Sequence, residues 1–406
     1  KARYHWCYNS RRDMKGINVC PGTLTPGFST YSPLCLRKVF GGKKVSHILY
    51  LSIDDDTGSD IVAAINKISI SGVQEKISAI IQKGKIIITP EGESGRYILK
   101  PIPEYKSLRF RHNIPANEHL TMQIASQVYK INTAANALAF FADGNPVYIT
   151  KRFDYKADGS KIKQDDFASI AGKTERNSGK DFKYSGSYED IANLLKQSVS
   201  AWQVEMEKFF TIVIFNYLFS NGDAHLKNFS LQETDGGDYV LTPAYDLMNT
   251  AIHINDGDFA LQDGLIPIRE YSEVYTKTSH PCKDDFITFG TRIGVHPKKL
   301  HAIIEMFATE QPKVYELISS GNTTAIFQIE SSGFKDFLSR LKPTCLEDIV
   351  AAVSLYRPGP MDSIPTYIAN KKNPAQVSYT DAHLEPILSV TYGCLVYQEH
   401  VMQIVR

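Results

Sequence analysis

The chain has 406 residues, 43% hydrophobic and 22% charged, enough for two to three domains with buried cores and unlike a disordered, collagen-like or disulfide mini-protein chain. Forty-five Lys+Arg against 44 Asp+Glu leave a formal charge of +1, so no whole-chain field argues for nucleic acid or membrane binding. No apolar run approaches the ~18 residues of a membrane span. With no signal pattern at the start and six scattered cysteines lacking any CxxC pair, a cytoplasmic protein with reduced thiols is expected.

Residues 1–45 read as a loop-rich, Cys-bearing leader with turn signals at Pro21-Gly22, Pro26-Gly27 and Gly41-Gly42. Residues 46–155 read as a small β-rich lobe. Its strands are expected at Ser78–Ile81, Lys85–Thr89, Arg96–Lys100, Ala137–Phe141 and Val147–Phe153, with a helix at Asn117–Ile131. Residues 156–310 read as a larger helical lobe, because Trp202, Met206, Phe209, Phe210, Val213, Ile214, Tyr217 and Leu218 recur at helical steps. Asn221-Gly222 breaks that helix. The absent initiator Met and the apolar stretch before Arg406 read as cut ends.

The candidate chemistry lies in Asn221-Gly-Asp-Ala-His-Leu-Lys-Asn-Phe-Ser230. Phosphoryl transfer needs a carboxylate at the acceptor hydroxyl, oxygen ligands for Mg²⁺ and a lysine against nucleotide phosphates. Asp223 and Asn228 have the Asp-x-x-x-x-Asn spacing of a kinase catalytic loop, with His225 and Lys227 between them as further catalytic candidates. Asp246, after a short strand, is the candidate second metal carboxylate. Lys100 ends a strand ahead of a proline, as a phosphate-contacting lysine would.

Eight stretches extend this pattern: Ser69-Ile-Ser-Gly-Val-Gln-Glu-Lys76, Tyr97-Ile-Leu-Lys-Pro101, Asn117-Glu-His-Leu120, Lys151-Arg-Phe-Asp154, Gln164-Asp-Asp-Phe167, Lys183-Tyr184, Asn221–Ser230 and Pro243-Ala-Tyr-Asp246. Together they resemble the HipA family of bacterial toxin serine/threonine kinases over about residues 65–305. The resemblance implies an α+β, bilobed kinase-like fold holding Mg-ATP, with Asp223 as catalytic aspartate, Asn228 and Asp246 on the metal, and Lys100 on ATP. It further implies a loop at Ser71, Gly72, Val73 and Gln74 over the phosphates, and a hinge from Lys151 to Phe153 beside adenine. Ser69 and Ser71 match a site of inhibitory autophosphorylation, or else belong to a phosphate-binding loop that merely caps ATP. The implied partners are a cytoplasmic protein substrate, possibly an aminoacyl-tRNA synthetase, and a HipB-like helix-turn-helix antitoxin through which DNA is reached only indirectly. The leader resembles a cysteine-bearing knuckle in which Tyr4 and Ser32 replace expected ligands, so no metal is expected there.

From about residue 312 the text changes. Phe327-Gln-Ile-Glu-Ser-Ser-Gly333, Leu355-Tyr-Arg-Pro-Gly-Pro-Met361 and Tyr392-Gly-Cys-Leu-Val-Tyr-Gln-Glu-His-Val-Met-Gln403 are similar to the DnaE-type catalytic subunit of DNA polymerase III, where the fingers open. A mainly helical fingers fragment is expected at 311–406, without the polymerase's metal-binding aspartates. Two functions therefore stand beside the kinase: a polymerase-derived DNA-binding protein, and an inert pseudokinase that acts as an interaction module.

Overall fold

The computed structural model describes residues 17–49, 76–89, 93–156, 158–308, 312–323, 329, 331–357 and 359–405. They fall into two units, Lys1–Met306 and Phe307–Arg406.

The first unit opens with helix α1 (Pro33–Phe40), where the leader was expected to be loops. Ser32 caps it by accepting from the Cys35 N–H, Pro33 occupies the first turn, and Gly41 ends it at a left-handed φ of 62°. Cys20, Tyr31, Cys35, Val39 and Phe40 of this segment are buried with residues of the sheet. The described part of the leader, residues 17–45, thus contributes to the sheet's core, a role that its Gly, Pro and Ser content conceals.

Among the described residues, six strands make the sheet: β1 (Ile48–Leu49), β2 (Ile77–Gln82), β3 (Lys85–Ile88), β4 (Tyr97–Lys100), β5 (Asn136–Phe141) and β6 (Pro146–Lys151). Their order is β1-β5-β6-β4-β2-β3, with β1 parallel to β5 and every other pair antiparallel. Lys83 and Gly84, both at positive φ, join β2 to β3 in a two-residue hairpin. Side-chain alternation decides the function of β4. Tyr97 and Leu99 enter the core that α1 shares, which sends Lys100 to the opposite face, where it lies across from Tyr148 of β6. Helix α2 (Ile114–Gln127) packs on β5 and β6 and starts three residues earlier than expected, since Pro115 fits the first helical turn. Its buried stripe is Ile114, Glu118, Met122 and Ala125.

A three-stranded antiparallel sheet follows, β7 (Gln164–Asp166), β8 (Ser230–Glu233) and β9 (Tyr239–Leu241), with β8 central. Helix α3 (Tyr188–Ser198) begins with a Ser187/Asp190 capping box. Helix α4 (Trp202–Leu218) is buried on nearly all sides along Phe209–Asn216; Phe209 packs on Phe229 and Phe210 on Phe289. Helices α5 (Lys283–Arg292) and α6 (Pro297–Ala308) complete the unit.

The second unit contains α7 (Pro312–Ser319), α8 (Ser332–Leu341), α9 (Leu346–Leu355), α10 (Ile364–Lys372) and α11 (Gln398–Val405), and no strand among the described residues. Phe334, Phe337 and Leu338 of α8, Ala352 and Leu355 of α9, and Tyr367 of α10 form its own core. Its buried Asp348 has a structural use, accepting from the Thr344 N–H at 2.8 Å and pairing with Lys371 at 2.8 Å. The fold is therefore α+β, a sheet-rich lobe and then helices, with a helical C-terminal part. The boundary between units falls at 306/307, four residues ahead of the expected one.

Candidate active site

The face of β4 turned toward α2 holds a buried ion cluster. Lys100, with only 3% of its side chain exposed, places Nζ 2.5 Å from Glu118 Oε1 and 2.6 Å from Asp246 Oδ1, above the Tyr148 ring. Burial works to discharge this ammonium, but Asp246 and Glu118 outweigh it and hold Lys100 above its ordinary range. Burial raises Glu118, and Lys100 offsets part of that rise. Asp246 is also opposed by burial, yet Lys100 and Lys76 hold it well below the usual carboxylate range. Lys76 Nζ reaches the second oxygen, Oδ2, at 3.2 Å.

The Pro243–Asp246 turn is brought here by a bridge from Ala244 to Thr133, just ahead of β5. Asp246 itself has a φ of 56°, a left-handed state that Asp tolerates better than most residues. On its other side the turn is tied to the Asn221–Ser230 segment: the Tyr245 hydroxyl donates to Lys227 O at 2.8 Å, and the Asn221 amide donates to Asp246 O at 3.5 Å.

That segment leaves α4 through Ser220, whose φ of 50° turns the chain out of the helix. The Asn221 side chain donates to Asn216 Oδ1 at 2.9 Å, and the Gly222 N–H donates to Thr250 Oγ1 at 2.8 Å. A Cβ on Gly222 would stand 2.4 Å from Asp256 Oδ2, so only glycine fits. Asp223 follows, half exposed, with Oδ1 accepting from the Tyr184 hydroxyl at 2.8 Å. His225 Nε2 stands 4.0 Å from the same oxygen. Burial pushes His225 down to about 4 against the pull of Asp223, so it is neutral near pH 7. The Asn228 amide oxygen accepts from the His225 N–H at 3.2 Å.

The other expected residues are placed as follows. The Lys227 ammonium is engaged by Asp166 at 2.6 Å, and Asp166 also caps the short helix Phe167–Ile170. Lys151 ends β6 with its N–H donating to Ala135 O, and the Arg152 N–H donates to Arg96 O, so both backbone donors are already used. The Phe153 ring lies 5.7 Å from Tyr245, one residue from Asp246. Ser69, Ser71, Gly72, Val73 and Gln74 lie outside the described residues, as does Tyr4; the loop's last residue, Lys76, ends at Asp246. Glu118 was not among the expected site residues. Its signal was a carboxylate standing inside the apolar stripe of α2.

A carboxylate and an amide oxygen on adjoining segments, Asp246 and Asn228, with Asp246 held ionised, suit a hard divalent cation such as Mg²⁺. Lys100, 2.6 Å from Asp246, is a cation of the kind that nucleotide phosphates require.

Residues 68–315 match the family described as the HipA-like C-terminal domain. The chain belongs to this family. Residues 292–406 match the bacterial DNA polymerase III alpha subunit finger domain. Over 101 residues the chain is 55% identical to DNA polymerase III subunit alpha of Staphylococcus aureus (strain N315), which is 25% of this chain and 10% of that protein. The Staphylococcus epidermidis protein of the same name is 54% identical over the same length. The chain thus spans about a tenth of the curated relatives it matches. Among solved structures, a Shewanella oneidensis HipA in a complex with HipB and operator DNA is 20% identical with a TM-score of 0.41, covering 71% of this chain and 64% of that one. The Helicobacter pylori proinflammatory kinase CtkA is 14% identical with a TM-score of 0.36, covering 74% of this chain and 97% of that one. The family assignment rests on the sequence match. Among the described residues, no helix is long and apolar enough to cross a membrane.

Proposed function

We propose that the first unit is an ATP- and Mg²⁺-dependent serine/threonine protein kinase of HipA type. The observation that carries this reading is Lys100 held between Glu118 and Asp246, because a kinase needs its strand lysine paired to a helix glutamate beside the metal-binding aspartate. In this reading Asp223 takes the acceptor hydroxyl, Asn228 and Asp246 hold Mg²⁺, and Lys100 neutralises ATP phosphates. Phe153 and Tyr245 offer aromatic surface to the base. His225, buried and neutral, supports the loop.

Ser69 and Ser71 are proposed autophosphorylation residues. The partners proposed from family membership are a cytoplasmic protein substrate and a HipB-like antitoxin, with DNA reached only through the latter. The polymerase-like unit takes no part in the chemistry. Intact-mass measurement after incubation with Mg-ATP tests the proposal: a phosphate increment that Asp223→Asn abolishes is expected. Mg-ATP binding with no γ-phosphate released to protein or water would favour the pseudokinase instead.

A further inference from the structure

One tyrosine outside the expected site is fixed on the catalytic carboxylate. Tyr184 ends the single turn Phe182–Tyr184, 39 residues before Asp223. Its backbone is held on both sides: its N–H donates to Asp181 O and its carbonyl accepts from the Gln262 N–H, each at 2.9 Å. Its ring meets the His225 imidazole edge-on at 5.2 Å, and the Lys183 ammonium lies 4.7 Å from the ring centroid. From this seat the phenol donates to Asp223 Oδ1 at 2.8 Å. Among the described residues, the other oxygen, Oδ2, has no hydrogen-bond partner, and half of the Asp223 side chain is open.

We propose that Tyr184 is a positioning residue for the transfer reaction: its hydroxyl holds Oδ1 of Asp223 and leaves Oδ2 free for the proton of the acceptor hydroxyl. This rests on the kinase reading above. A carboxylate can turn about its Cα–Cβ and Cβ–Cγ bonds, and a half-exposed one samples several orientations unless a donor fixes it. General-base catalysis requires the accepting oxygen within hydrogen-bond reach of the proton it removes, so a fixed orientation raises the reactive fraction. A tyrosine that only blocked the acceptor site would have to leave it, and the two backbone bonds and the His225 contact argue for a fixed donor. Burial and the bond to Asp223 hold the phenol well above its ordinary range, so it stays protonated and can only donate in this bond. His225 completes the support through its edge-on contact with the Tyr184 ring.

Tyr184→Phe keeps the ring and removes only the hydroxyl. Hydrogen bonds to charged groups contribute enough that kcat should fall about 10- to 100-fold. Mg-ATP affinity should stay within about twofold, because Asp223 does not hold the nucleotide. Unchanged or raised kcat would overturn the proposal, as would an equal loss of ATP affinity, which marks a general structural defect. A second readout does not depend on activity: the fluorine resonance of 3-fluorotyrosine placed at position 184 of the full chain should shift on Asp223→Ala. An unmoved resonance would show that the contact does not exist in solution. A shifted resonance in a protein that binds Mg-ATP but releases no γ-phosphate would refute the kinase reading and the positioning role with it, while leaving the contact established.

Discussion

Lys100→Met replaces a buried cation by a side chain of similar length and leaves Glu118 without its partner. Removing one member of a buried pair is expected to cost about 3–5 kcal/mol. An independent route gives a similar figure. Glu118 is already raised by burial, and without Lys100 it rises further until it takes up a proton on folding. Each unit by which the variant's folded-state value exceeds that of the intact protein adds about 1.36 kcal/mol to the deficit, so a further rise of about two to three units would cost about 3–4 kcal/mol. The sign follows from the raised folded-state pKa: the variant's deficit is small below the already raised value of Glu118 in the intact protein, grows as pH rises beyond it, and levels off only above the new folded-state value. The deficit should therefore be larger at pH 7 than at pH 5. Trp202 lies in helix α4 of the first unit and residues 307–406 contain no tryptophan, so urea unfolding of the full chain followed by tryptophan fluorescence reads the first unit. Adding Glu118→Leu to Lys100→Met removes both charges and should recover most of the loss. A deficit independent of pH, or no recovery in the double variant, would refute the claim that Lys100 is the counter-ion of Glu118.

Three further outcomes are expected. Asp223→Asn should lower phosphoryl transfer by at least about 100-fold with ATP affinity intact, whereas Asp246→Asn should weaken Mg²⁺-dependent ATP binding itself; equilibrium titration with and without Mg²⁺ separates them. Gly222→Ala should destabilise the first unit by about 1–3 kcal/mol in the same urea assay, because its Cβ meets Asp256 Oδ2 and Gly257 O within 2.7 Å. Truncation after Glu310 should leave Mg-ATP turnover per molecule unchanged, and a loss would show that the polymerase-like unit serves catalysis.

The sequence was most legible where pattern and chemistry coincide. Strands β2 to β6 and helix α4 fall within one to three residues of their expected positions, because short apolar runs bounded by Gly and a long 3–4 spacing leave few alternatives. The Asp223, Asn228, Asp246 and Lys100 set is named by spacing and order, and of these the structure pairs Lys100 with Asp246. What escaped depends on contacts between distant segments. Glu118 meets Lys100 only because β4's alternation and α2's stripe turn toward the same interface, and no local motif states that register. Tyr184 was visible as part of a matching stretch, but its role depends on the fold closing 39 residues onto Asp223. The leader's helix was hidden by turn residues, although Ser32-Pro33 and Gly41 are its start and stop signals. Lys227, expected to be catalytic from its place in the loop, pairs with Asp166 at 2.6 Å, a partner that the local sequence does not state.

The central claim is that this ion cluster and catalytic loop move a phosphoryl group. A single-turnover reaction of the full chain with ATP labelled in the γ-phosphate, with and without Mg²⁺, tests it most directly. The account predicts Mg²⁺-dependent transfer of label to protein, lost in Asp223→Asn and in Lys100→Met. Label retained in ATP by a chain that demonstrably binds it would contradict the account.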